Sequence, residues 1–106
     1  MKTKPVILRE LADKDAENAV EYYLQAAEDR VALGFIEALQ KAYEHIARYP
    51  QTGSPRHAHV LNVPGLRVWP LKRYPYLVFY VEQGDHIDVW RVLHSHSDIP
   101  VWLRDE

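Results

Sequence analysis

The sequence predicts an α+β domain in which an antiparallel helical hairpin precedes a three-stranded antiparallel meander. Three observations carry that reading. Apolar residues recur at helical spacing through the first half, Pro50 ends the pattern, and three β-branched and aromatic runs joined by turn-sized links fill residues 66–93. At 106 residues the chain has length for one core and not for two, so residues 1–106 are read as a single domain.

Val6-Ile7-Leu8 is a short β-branched run and reads as an edge strand. Asp13 is placed as the N-cap of the first helix, with Asp15 and Glu17 near the positive end of its dipole. Ala16, Ala19, Val20, Tyr23 and Ala27 then form one helical stripe. After Asp29 a second stripe runs through Ala32, Phe35, Leu39, Ala42, Tyr43 and Ile46. The few residues between the stripes require an antiparallel pair. Gln51 to Pro64 is expected to be a loop, punctuated by Gly53, Ser54 and Pro55. The runs Leu66 to Trp69, Tyr76 to Glu82 and His86 to Leu93 are strands, and links this short make them antiparallel neighbours. Tyr76 to Val81 is apolar on both faces, as a central strand must be. The helices cover one sheet face, and the other is left for the C-terminal tail or a partner.

Charge is distributed unevenly behind a net value of −2. The first 44 residues hold nine Asp and Glu against six Lys and Arg. Between Glu44 and Glu82 there is no carboxylate, but there are Arg48, Arg56, Arg67, Lys72, Arg73 and the histidines His45, His57 and His59. A basic middle of this kind suits an acidic partner, either nucleic acid or an acidic protein segment. The chain has no cysteine, which excludes disulfides, thiolate zinc sites and cysteine nucleophiles. The apolar run after the basic start is too short for a signal peptide, and no run reaches a membrane span. The expected location is the cytoplasm, without membrane contact.

Few motifs carry chemistry. Two His-x-His pairs, His57/His59 and His94/His96, would each share a face if they lay on strands. Neither has the third ligand that a catalytic zinc needs, so no metal and no cofactor is expected. There is no phosphate loop and no nucleophile elbow. A cationic group stands out instead: Arg67, Lys72, Arg73 and Arg91, with His94 close in sequence. If their strands are neighbours, these side chains share one sheet surface. Arginines there could clamp phosphate or carboxylate, and a histidine could move protons near neutral pH. Arg67 and Arg91 could equally pair with Glu82, Asp88 or a carboxyl-terminal acid.

The stretches Gly65-Leu66-Arg67-Val68-Trp69-Pro70, Tyr76-Leu77-Val78-Phe79-Tyr80, Arg91-Val92-Leu93-His94 and Asp98-Ile99-Pro100 resemble the RelE/ParE toxin superfamily, and within it the ParE branch of type II toxin–antitoxin systems. The resemblance covers nearly the whole chain and implies a short C-terminal helix after the meander. It implies a toxin neutralised by a cognate antitoxin, a ParD-like chain that folds on binding. Its seat is placed on Val20, Tyr23, Phe35 and Leu39, in the groove between helices and sheet. The implied target is DNA gyrase, contacted through Arg67, Lys72, Arg73, Arg91, His94 and Trp102 without catalysis. The alternative is a RelE-like, ribosome-dependent endonuclease of messenger RNA that needs no metal. It would use Arg67 and Arg91 as clamps and His94 as acid or base. RelE-type toxins add a tyrosine or histidine near the C-terminus. This chain offers Trp102, whose indole is a donor only and cannot serve as acid or base, and that favours the gyrase-directed branch.

Overall fold

The computed structural model describes residues 3–104. Strand β1 (Val6–Leu8) runs parallel to β4 (Ile87–His94), with Val6 opposite Ile87 and Leu8 opposite Val89. Arg9 donates its N–H to the carbonyl of Val89 at 3.0 Å, and helix α1 (Glu10–Ala26) begins at the next residue. The strand therefore feeds the helix with no intervening loop, and Arg9 takes the N-cap position in extended conformation. The expected cap, Asp13, lies inside the first turn. There it and Glu10 still oppose the positive end of the helix dipole.

Helix α2 (Asp29–Arg48) follows after residues 27–28, a connection short enough to force the antiparallel pair. Its buried residues, Ala32, Phe35, Leu39, Ala42 and Ile46, are the stripe that the periodicity marks. Pro50 opens a single 3-10 turn (Pro50–Thr52) and so ends α2. The segment expected to be loop then contains a further helix, α3 (Arg56–Leu61). Asn62 closes it in the left-handed region (φ 54°), and Val63 donates to the carbonyl of Ala58 at 3.0 Å. Six residues show no helical period, and α3 is held by Ala58 and Leu61 packing against the sheet.

Strands β2 (Leu66–Pro70), β3 (Tyr76–Glu82) and β4 form the antiparallel meander, and the sheet order is β1-β4-β3-β2. Strand β3 is central, as its two apolar faces require. A bulge interrupts the β3–β4 ladder: Phe79 faces Arg91 and Tyr80 faces Val89, leaving Trp90 as the extra residue. The hairpin buries one sheet face, where Val78, Tyr80, Val89 and Val92 meet Ala19, Phe35 and Ile46. On the opposite face Leu66, Val68, Phe79 and Leu93 are covered by α3 and by α4 (Ile99–Arg104), through Ile99 and Leu103. The chain itself thus covers the second face. Among the described residues no helix is long and apolar enough to cross a membrane.

The outer edge of β2 is closed to further pairing. Val68 exchanges two backbone hydrogen bonds with Ser54, both 2.9 Å, and Leu66 donates to Val63. The next outward position is Pro70, which has no N–H to offer.

Candidate functional site

β1 pairs with β4 only as far as Val89, so β4 would run on from Trp90 with a bare edge. Asp15 of α1 stands at that edge. Its carboxylate accepts the Val92 N–H at 3.0 Å and a bidentate grip from Arg91, Nε at 2.7 Å and Nη2 at 2.8 Å. Nη1 of Arg91 donates to the Trp102 carbonyl at 2.9 Å, and the guanidinium lies 5.3 Å from the Trp102 ring. The arginine is 3% exposed. This buried clamp joins α1, β4 and α4, and burial makes each of its hydrogen bonds costly to lose. Arg91 accordingly does not present a guanidinium to a target, and its carboxylate partner is Asp15 rather than Asp88 or Glu82. Those two are engaged elsewhere: Asp88 with Arg9 (3.1 and 3.0 Å) and with the Trp90 indole, Glu82 with Lys4 at 2.8 Å.

A second anchor fixes the segment after α2. Tyr80 is fully buried; its hydroxyl donates to the Pro50 carbonyl at 2.7 Å and accepts the Gly53 N–H at 3.1 Å. Burial raises its pKa, so it stays a neutral donor. A Cβ at residue 53 would overlap that hydroxyl, which is why glycine is needed there. Arg67 Nη1 donates to the carbonyls of Gln51 (3.0 Å) and Gly53 (2.8 Å) and straps the same segment to β2.

The three residues of the ribonuclease reading are not brought together. Arg67 lies between Leu66 and Val68, so it faces the hairpin side, while Arg91 and Phe79 are partners on the other side. His94 faces Tyr76 and Arg67 faces Tyr80, two strands away and about 13 Å along the sheet by strand rise. His94 instead joins an aromatic end of the molecule. It stands edge-on to Tyr76 at 5.2 Å, and its Nδ1 accepts the His96 N–H at 3.1 Å, which leaves the neutral ring's proton on Nε2. Tyr23 meets Phe35, Tyr74 and Tyr76 in the same cluster. His57 and His59 lie on α3, not on a strand. His57 packs edge-on against Phe79 at 5.4 Å, and burial, then Arg56, lowers its pKa. Among the described residues no group of three His, Cys, Asp or Glu could hold a metal.

Of the side chains assigned to an antitoxin, Val20 and Tyr23 are half-buried on α1, but Phe35 and Leu39 are core residues with 0% and 7% exposure. The stripe on α2 points at the sheet, not outward, and these two correct the expected docking surface. Lys72, Arg73 and Trp102 are exposed. Arg73 turns the β2–β3 connection in the left-handed region (φ 69°). Beside that turn lies a groove between α2 and the end of β2. One part, of about 410 Å³, is lined by Ala38, Lys41, His45, Trp69, Leu71 and Lys72. The next, of about 320 Å³, shares Ala38, Lys41 and Lys72 and adds Gly34, Glu37 and Arg73. His45 stacks on Trp69 at 4.0 Å and 16° between planes, so the two rings form one wall.

A helical hairpin laid on a four-stranded sheet, with a buried arginine clamp joining α1, β4 and α4, defines a small α+β domain. The sequence matches the profile of the ParE toxin of type II toxin–antitoxin systems (parDE) over residues 6–99. The chain belongs to the ParE toxin family. A solved structure of the chromosomal ParDE toxin–antitoxin system from P. aeruginosa has the same fold, with a TM-score of 0.72 at 18% identity over 87% of this chain and 96% of that one. Comparison with curated protein sequences gives no match.

Proposed function

We propose that this toxin acts by binding DNA gyrase, without catalysis, and that a cognate ParD-like antitoxin neutralises it in the cytoplasm. The observation that carries the non-catalytic reading is the dispersal of Arg67, Arg91 and His94. Arg91 is buried in the Asp15 clamp, Nη1 of Arg67 holds backbone carbonyls, and His94 sits in an aromatic cluster away from both. A metal-independent ribonuclease needs its clamps and its acid or base within hydrogen-bond reach of one phosphate, and these are not. Exposed Lys72, Arg73 and Trp102 are the remaining candidates for target contact.

The test is a gyrase supercoiling assay with the purified, antitoxin-free toxin. Dose-dependent loss of supercoiling with trapped cleaved DNA is the expected result, and His94→Gln should leave it unchanged. A folded, growth-arresting protein that spares gyrase but cuts messenger RNA on ribosomes would overturn the proposal in favour of the RelE-like activity.

A further inference from the structure

Charge divides across the sheet. Toward β1 and β4 three cations are matched: Lys4 with Glu82, Arg9 with Asp88 and Arg91 with Asp15. The exposed carboxylates Glu10, Asp13, Glu17 and Glu21 of α1 lie on that side as well. At the outer edge of β2 the pattern reverses. Residues 49–55 wrap that edge, with Ser54 bonded to Val68 and Arg67 holding the carbonyls of Gln51 and Gly53. Arg48 ends α2 just before the wrap and Arg56 opens α3 just after it, both exposed. None of Arg48, Arg56 and Arg67 has a carboxylate partner among the described residues. Nη1 of Arg67 donates to carbonyls alone, and Nε of Arg56 donates to the His57 ring at 3.2 Å. Neither acceptor is an anion, so both guanidinia are held in position with their charge unspent. Glu44 lines a cavity beside Arg48, and Glu37 one beside Lys41, Lys72 and Arg73; neither closes an ion pair with them.

The spread of these cations selects the partner. Arg48 and Arg56 flank the edge, and Lys72 stands about 15 Å beyond Arg67 by strand rise, past the end of β2. One small anion does not reach across that length, whereas a polyanion with regularly spaced charge does. A DNA duplex carries a phosphate about every 3.4 Å along each strand. An extended acidic peptide fits less well, because it gains backbone bonds only from a free sheet edge. Here Ser54 takes the outward bonds of Val68, and Pro70 offers no N–H. The acidic face of α1 orients the molecule, since it repels the polyanion that the β2 edge attracts. We infer that the β2 edge, through Arg48, Arg56 and Arg67, binds the phosphate backbone of a DNA duplex without reading its sequence. This deepens the gyrase reading above by making the DNA of that target complex a direct contact of the toxin.

The experiment measures binding of a short fluorescein-labelled DNA duplex to the full-length, antitoxin-free toxin by fluorescence anisotropy, from about 50 to about 200 mM salt. Three phosphate contacts predict a slope of log affinity against log salt near about −3. The Arg48→Gln/Arg56→Gln double variant should bind at least about 10-fold more weakly at the lowest salt, with the slope shallower by about 2. Lys14→Gln/Arg30→Gln removes the same charge from α1 and the start of α2, and should bind as wild type. Both pairs are exposed, and circular dichroism melts confirm that each variant folds. No binding by the wild type, or a slope near zero, would overturn the inference. Equal weakening in the two double variants would make the attraction one of net charge alone and overturn the assignment to this edge. Tighter binding of an RNA duplex of the same length would assign the edge to RNA and overturn it too. The supercoiling assay on the same samples separates this inference from the gyrase reading. Gyrase inhibition without DNA binding removes the inference alone, and DNA binding at this edge without inhibition removes the gyrase reading alone.

Discussion

Arg91 and Lys72 carry the same charge in opposite settings. Arg91 is 3% exposed and holds Asp15 and the Trp102 carbonyl, so its charge is neutralised where it lies. Lys72 stands on an exposed turn above an apolar groove and meets no carboxylate among the described residues. Taking a guanidinium out of water costs several kcal/mol, and only a matched carboxylate with additional hydrogen bonds offsets it. An exposed lysine carries no such cost and needs no partner to persist. The difference separates charges that hold this fold together from charges left over for something outside it.

The largest expected effect comes from breaking the buried side of that contrast. Asp15→Ala leaves the Arg91 guanidinium and the Val92 N–H without their acceptor, and should lower unfolding free energy by about 3–5 kcal/mol. Urea unfolding followed by tryptophan fluorescence measures it. Adding Arg91→Met to Asp15→Ala should recover part of the loss, because the unpaired charge is then gone. A loss under about 1 kcal/mol in the single variant would mean that the clamp is solvated, and the contrast with Lys72 would fail.

Next in size is Tyr80→Phe. It removes the acceptor for the Gly53 N–H and the donor to the Pro50 carbonyl. Both groups lie in the segment that Arg67 straps to β2, so the loss should be about 1–3 kcal/mol. Hydrogen exchange at Gly53 should speed up with it. If stability falls while exchange at Gly53 is unchanged, the hydroxyl acts through core packing and not through that bond.

These residues also mark where the sequence stops speaking. The α2 stripe was readable because five buried positions repeat on one face within one helix. The same periodicity does not say what covers that face: the resemblance assigns Phe35 and Leu39 to a partner, and the sheet already takes them. Asp15 read as a helix-dipole residue, because its real partner lies 76 positions away and leaves no local trace. The bulge that sets Arg91 beside it is a one-residue slip between two strands with no turn residue to announce it. His45, Lys72 and Arg73 are visible through the carboxylate-free window, whereas Lys41 lies outside it and joins them only once α2 is laid beside β2. Charge composition is a one-dimensional signal, and a groove needs two elements in contact.

The smallest effect tests whether the clamp ends at Arg91. Tyr43 on α2 has a buried hydroxyl with no hydrogen-bond partner among the described residues. Its pKa is raised by burial first, then by the charges of Asp13 and Asp15, so the phenol stays protonated and adjacent to the clamp's carboxylate. A buried hydroxyl that bonds to nothing costs its desolvation and returns no hydrogen bond, so Tyr43→Phe should be neutral or stabilising by up to about 1 kcal/mol. The ring keeps its packing, and only the oxygen leaves. Thermal unfolding of the single variant, and of Tyr43→Phe combined with Asp15→Ala, decides the matter. Additive effects mean that Asp15 answers to Arg91 and Val92 alone. A destabilised Tyr43→Phe that becomes neutral once Asp15 is gone would make the phenol a third donor to that carboxylate, and extend the clamp from α1, β4 and α4 into α2.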